Sequence, residues 1–113
     1  MVQSENQIQK AIIDYLQIYE NLGQLVFIRN NSFAGQIMRH DNSVGYVKNS
    51  KKGSPDILIF INKGQVIHLE VKTKKGSLSE DQIKWKKNVE KLGHKFFIAR
   101  SIDDVDNIIK NLC

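Results

Sequence analysis

Cysteine is almost missing from this chain. Cys113 is the only one, so no intramolecular disulfide can form and no cysteine-rich zinc site is on offer. Long apolar runs are missing too: Ile57 to Ile61 is far too short to span a bilayer, and Gln3 to Gln9 is polar where the apolar core of a signal peptide would lie. These absences predict an intracellular, cytoplasmic protein with no membrane attachment. No Gly-rich loop leads into a helix, which argues against a nucleotide cofactor of the P-loop or dinucleotide type. His40, His68 and His94 do not cluster at ligand spacing, and His68 is expected to be a packed or hydrogen-bonded core histidine. There is no internal repeat and no low-complexity segment.

What the chain does have is modest in size and basic. Its 113 residues, 41% hydrophobic and 26% charged, predict one soluble domain over residues 1–113. Seventeen Lys and Arg against twelve Asp and Glu give a formal charge of +5, which predicts a polyanionic partner. The positions matter more than the sum. Lys48, Lys51 and Lys52 precede the stretch described next, Lys72, Lys74 and Lys75 leave it, and Lys84, Lys86, Lys87 and Lys91 follow on a helix. Of these, Lys48, Lys51, Lys52, Lys74, Lys75 and Lys86, with Arg29 and Arg39, are candidate contacts to a phosphate backbone.

That stretch is Gly53-Ser54-Pro55-Asp56 leading into Ile57 to Ile61, then Asn62-Lys63-Gly64, then Gln65 to Lys72. Two β-branched apolar runs around a short Gly-containing turn predict a β-hairpin. If Ile61 pairs with Gln65, Asp56 falls opposite Glu70. Side chains alternate along a strand, so Lys72 shares the face of Glu70 while Ile57, Ile59, Ile67 and Leu69 fill the other. Like charges directly across a sheet are destabilising, and a hard divalent cation such as Mg²⁺, which prefers oxygen ligands, would relieve the repulsion.

Ser4-x-x-Gln7 is a capping-box signature ahead of Ile8, Ala11, Ile12, Tyr15, Leu16 and Tyr19, predicting a helix over Glu5 to Leu22 that Gly23 ends. Glu5 lies on its sheet-facing stripe, where it either complements the helix N-terminus or reaches the hairpin. Gln24 to Arg29 predicts a strand, with Ser32 to Met38 as an antiparallel neighbour through Asn30-Asn31; His40 to Gly53 predicts a loop or irregular strand. Ser79-x-x-Gln82 opens a second helix with Gln82, Trp85, Val89 and Leu92 on one face, so Gln82 points inward as cap, site residue or both. Lys95 to Arg100 predicts a buried strand, and Ser101 caps a last helix whose apolar stripe, Val105, Ile108, Ile109 and Leu112, covers the sheet or a second copy.

Gly53-Ser54-Pro55-Asp56, Glu70-Val71-Lys72, the Gln82-bearing helix and the ending Phe97-Ile98-Ala99-Arg100-Ser101 together resemble the PD-(D/E)xK nuclease superfamily. In particular they resemble its virus-type replication and repair (VRR-Nuc) branch in a stand-alone, phage-like form. The resemblance runs from Glu5 to about Asp104. It implies an α/β fold with a restriction-endonuclease-like core, a small mixed sheet flanked by helices in the order α-β-β-β-α-β-α. It also implies Mg²⁺ or Mn²⁺ held by Asp56, Glu70, the backbone carbonyl of Val71 and Glu5, with Lys72 and Gln82 completing the catalytic set. The activity implied is metal-dependent DNA endonuclease cleavage, and a small symmetric dimer would suit four-way (Holliday) junctions in DNA repair. The alternatives are a monomeric flap or single-strand nuclease, or a catalytically idle DNA-binding subunit.

Overall fold

The computed structural model describes residues 3–30, 34–38, 40–41, 43–48 and 51–113, with the backbone alone for 34–38 and 44–48. The first helix, α1 (Glu5–Asn21), starts with both hydrogen bonds of the Ser4/Gln7 capping box. It stops at Gly23, whose φ of 76° only glycine adopts without strain. There the Gly23 and Gln24 amides donate to the Glu20 and Tyr19 carbonyls, both at 3.0 Å, closing a Schellman turn.

Strand β1 (Val26–Arg29) follows, then β2 (Ala34–Met38), β3 (Val44–Lys48), β4 (Ile57–Phe60) and β5 (Val66–Val71), helix α2 (Glu80–Lys91), strand β6 (Lys95–Ala99) and helix α3 (Ile102–Leu112). The main sheet has the order β1-β4-β5-β6, antiparallel except for the β5–β6 pair. The mixed four-stranded sheet with its three helices is the architecture that the resemblance implies. The final strand returns through α2 to lie parallel to β5, as such a crossover must.

One expected pairing is corrected. The segment containing Met38 does not pair with β1; β2 pairs with β3 as a separate two-stranded sheet, and β1 lies on β4 instead. The reason is Asn30, which continues the β1–β4 ladder rather than turning. Its amide donates to the Asp56 carbonyl at 2.7 Å, and its side chain donates to Ser54 Oγ and the Pro55 carbonyl, both at 2.9 Å.

The core lies on one face of the sheet. Ile57, Ile59, Ile67 and Leu69 meet Ile8, Ile12 and Leu16 of α1 and Val105 and Ile109 of α3. The apolar stripe of α3 therefore covers the sheet of its own chain. The other face carries α2 over β5 and β6, with Val89 buried. Leu92, expected on the inward stripe, is 75% exposed, because it is the residue where the backbone leaves the helix ahead of Gly93. Among the described residues no helix is long and apolar enough to cross a membrane.

Candidate active site

The hairpin has the expected register: Ile57 pairs with Leu69 and Ile59 with Ile67, and the Ile61 amide donates to the Gln65 carbonyl at 3.1 Å across the turn. Continuing that ladder by one residue sets Asp56 opposite Glu70. Asp56 lies just outside the strand, and its carboxylate takes over the ladder there: Oδ2 accepts from the Val71 amide at 2.8 Å. The loop before it is pinned. Ser54 Oγ donates to the Lys51 carbonyl, Pro55 is fully buried, and Gly53 lies so close to α2 that a Cβ there would fall 2.5 Å from the Asp81 carbonyl oxygen. Gly53 also has φ +83°, so both space and backbone demand glycine.

Glu70 is 3% exposed. Its Oε1 accepts from Gln82 Nε2 at 2.9 Å and stands 3.9 Å from Lys72 Nζ. Its Oε2 is buried with no hydrogen-bond partner. Burial first, then the neighbouring Asp56 carboxyl, push the Glu70 carboxyl up to about 8, against a smaller opposing pull from Lys72 and a further push from Glu5. Two carboxyls that cannot both ionise in a dry site are the situation that a cation resolves. A carboxylate pair with one bare buried oxygen fits a hard cation, which takes oxygen donors and keeps several waters. Glu5 is exposed in the first turn of α1 and reaches Glu70 through its charge; no group of three or more His, Cys, Asp or Glu side chains placed for a metal ion occurs among the described residues.

Gln82 takes both roles open to it. Its Oε1 accepts from the Ser79 amide at 2.9 Å, closing the capping box, while its Nε2 holds Glu70. An amide suits this double duty, since it carries donor and acceptor at once. Lys72 is largely buried, with its side chain 12% exposed. The loop after it folds back so that a Cβ at Gly76 would lie 3.4 Å from the Lys72 stem. Arg100 holds that loop, donating from Nη1 to the carbonyls of Thr73 at 2.6 Å and Gly76 at 2.8 Å. Nothing in the sequence beyond the placement of an arginine after an apolar strand marks this clamp.

The three histidines were expected to stay apart; two of them meet. His68 Nε2 lies 2.9 Å from His94 Nδ1, and Trp85 Nε1 donates to His68 Nδ1 at 3.1 Å. Since the indole nitrogen can only donate, His68 Nδ1 accepts, and the His68 proton sits on Nε2 facing His94. Burial, then the neighbouring His94, lower His68 to about 4. The chain Trp85–His68–His94 ties α2 to the sheet next to Glu70, so the helix that carries Gln82 is fixed at two successive turns.

The basic residues surround this site unevenly. Lys51, Lys74 and Lys75 are exposed, and Lys52 pairs with Asp81 at 3.4 Å. Lys86 is half-buried, its ammonium 6.0 Å from the centre of the Phe96 ring. Arg29 donates to Gln9 Oε1 at 3.3 Å. Lys48 ends β3, with its side chain outside the described set, and Arg39 lies outside the described residues.

Comparison with known families brings in a match over almost the whole chain: the model of the VRR-NUC domain matches residues 3–103. A solved structure described as a VRR_NUC domain is 22% identical, covers 96% of this chain and 97% of its own, and superposes with a TM-score of 0.65. Its likeness speaks for the fold. Comparison with curated proteins finds no match.

Proposed function

This chain belongs to the VRR-NUC domain family, a family of nucleases, and from that premise we propose that it is a metal-dependent endonuclease that hydrolyses phosphodiester bonds in branched DNA. The observation that carries the reading is Glu70: a buried carboxyl beside Asp56, with Oε2 unpartnered and Oε1 held by Gln82. Asp56, Glu70 and the Val71 carbonyl would hold Mg²⁺ or Mn²⁺, with Glu5 adding negative charge at the margin. Such an ion, when bound, supplies Lewis-acid stabilisation of the charge that builds on the phosphate. The chain's own groups do the rest. Lys72 places an ammonium beside Glu70, where it orients the attacking water or stabilises the developing phosphorane charge. Gln82 fixes the rotamer of Glu70, and Arg100 fixes the loop that covers Lys72.

Four-way junctions cut by a homodimer are the substrate and assembly we favour. Support for a dimer comes from the face of β1 and β4 that α2 leaves uncovered, where Val26 is 57%, Ile28 49% and Phe60 40% exposed. Val26 and Phe60 are cross-strand partners, so these side chains form one apolar patch on an edge of the sheet.

The test is cleavage of a labelled four-way junction beside matched duplex, flap and single-stranded DNA, in Mg²⁺, Mn²⁺ or EDTA, by the wild type and Asp56→Ala. Paired symmetric cuts that need both metal and Asp56 are expected. Equal cleavage by Asp56→Ala would sink the assignment, and cuts confined to flaps or single strands would move it to a monomeric flap nuclease.

A further inference from the structure

Beyond the carboxylates, on the outer flank of α2, lies a groove of about 440 Å³. Lys51 and Lys52 of the loop before Gly53 form one wall, and Lys84, Trp85 and Asn88 of α2 form the other. Three lysines line it, with Asp81 the acid that partners one of them, Lys52. The groove therefore carries a positive field with an aromatic ring in it, the combination that binds a nucleotide by phosphate and base together. Its volume matches a small-molecule pocket rather than a channel for duplex DNA.

Two features set this groove apart from an ordinary basic surface. Trp85 is anchored: its indole N–H is committed to His68, so the ring cannot swing away, and ordering it costs little on binding. It also sits three residues along α2 from Gln82, about 4.5 Å of helix rise. Gln82 touches Glu70, so the groove and the carboxylate pair adjoin the same N-terminal half of α2.

Resting on the nuclease reading, we infer that this groove receives an unpaired nucleotide next to the bond that is cut, its base against Trp85 and its phosphates against Lys51, Lys52 and Lys84. Asn88 offers an amide donor and acceptor to the base edge. A base stacked in a duplex cannot enter. The groove thus selects strands whose bases are unpaired, as at the opened centre of a branch, a flap or an end, and it supplies substrate preference without a separate recognition domain.

Trp85 is the only tryptophan of the chain, so its fluorescence reports this groove alone. In EDTA, where no cleavage occurs, short oligodeoxythymidylate should quench it saturably and shield it from acrylamide. An abasic strand of equal length and a blunt duplex should do so far less. The double variant Lys84→Ala/Asn88→Ala should weaken binding of oligodeoxythymidylate about tenfold, as for loss of one base contact, and raise KM, with kcat retained, for whichever junction, flap or single strand the wild type cuts. Equal quenching by thymidylate and abasic strands, or by duplex, would overturn the inference, as would unchanged affinity in the double variant. The two readings fail separately. Quenching without metal-dependent cleavage would remove the nuclease reading and keep the groove, whereas cleavage without selective quenching would remove the groove and keep the nuclease.

Discussion

The two faces of β5 are built from alternate residues of one strand, and both are buried. On one, Ile67, Leu69 and Val71 are at most 1% exposed under α1 and α3. On the other, His68 and Glu70 are 4% and 3% exposed, with α2 above them. Equal burial has opposite consequences. Removing apolar side chains from water contributes stability, whereas removing ionisable ones shifts their proton equilibria, raising Glu70 and lowering His68. One face holds the fold together; the other stores a charge problem that only a bound cation or a proton resolves.

Substituting on either face should separate stability from activity, and the largest effect belongs to the polar one. Glu70→Gln keeps the shape and removes the charge, so cleavage should fall by about 10²–10³-fold, read by single-turnover kinetics. The melting temperature near pH 8 should hold or rise, because a charge that burial opposes is gone. A variant that lost stability and kept activity would reverse the assignment of the two faces. On the apolar face, Leu69→Ala should cost about 2–5 kcal/mol in urea unfolding, with cleavage per folded molecule unchanged.

A smaller effect tests the double role of Gln82. Gln82→Glu preserves the capping box, which accepts either residue, but sets a carboxylate against Glu70. Helicity by circular dichroism should be unchanged while activity drops about 10–100-fold; full activity would make Gln82 a cap and nothing more. The smallest effect is in the pH dependence of the metal-free protein. Glu70 keeps its proton up to about 8 in the folded state, against 4.5 for an ordinary glutamate. Its contribution is thus present at low pH and is lost as pH rises between those values. His68, held near 4 against 6.5, acts in the opposite sense, losing stability as pH falls through that window. The two windows overlap between about 4.5 and 6.5, so melting temperatures in EDTA should level there and fall toward pH 8, and Glu70→Gln should abolish that alkaline fall.

Much of the fold was legible in the chain because its signals are local. Ser4 and Gln7, or Ser79 and Gln82, are three residues apart, and a capping box needs nothing more distant. The hairpin register follows from a three-residue turn, and alternation then puts Asp56, Glu70 and Lys72 together. The pairing of the segment ending at Met38 was not legible, since Asn30 reads as a turn residue until Ser54 and Pro55 are placed beside it. His68 and His94 looked unrelated for the same reason: only the parallel crossover through α2 makes them neighbours.

By itself, then, the sequence determined the helix limits, the carboxylate hairpin and the family to which the chain belongs, all properties of residues near one another or in fixed order. The tertiary structure decided which groups those residues would meet: Gln82 bonded to Glu70, Arg100 closed over the loop after Lys72, Trp85 pinned by His68, and two basic segments facing each other across one groove. The physical reason is that backbone periodicity and capping act over a few residues, whereas burial, shared protons and side-chain hydrogen bonds between elements exist only once the sheet has brought distant strands side by side.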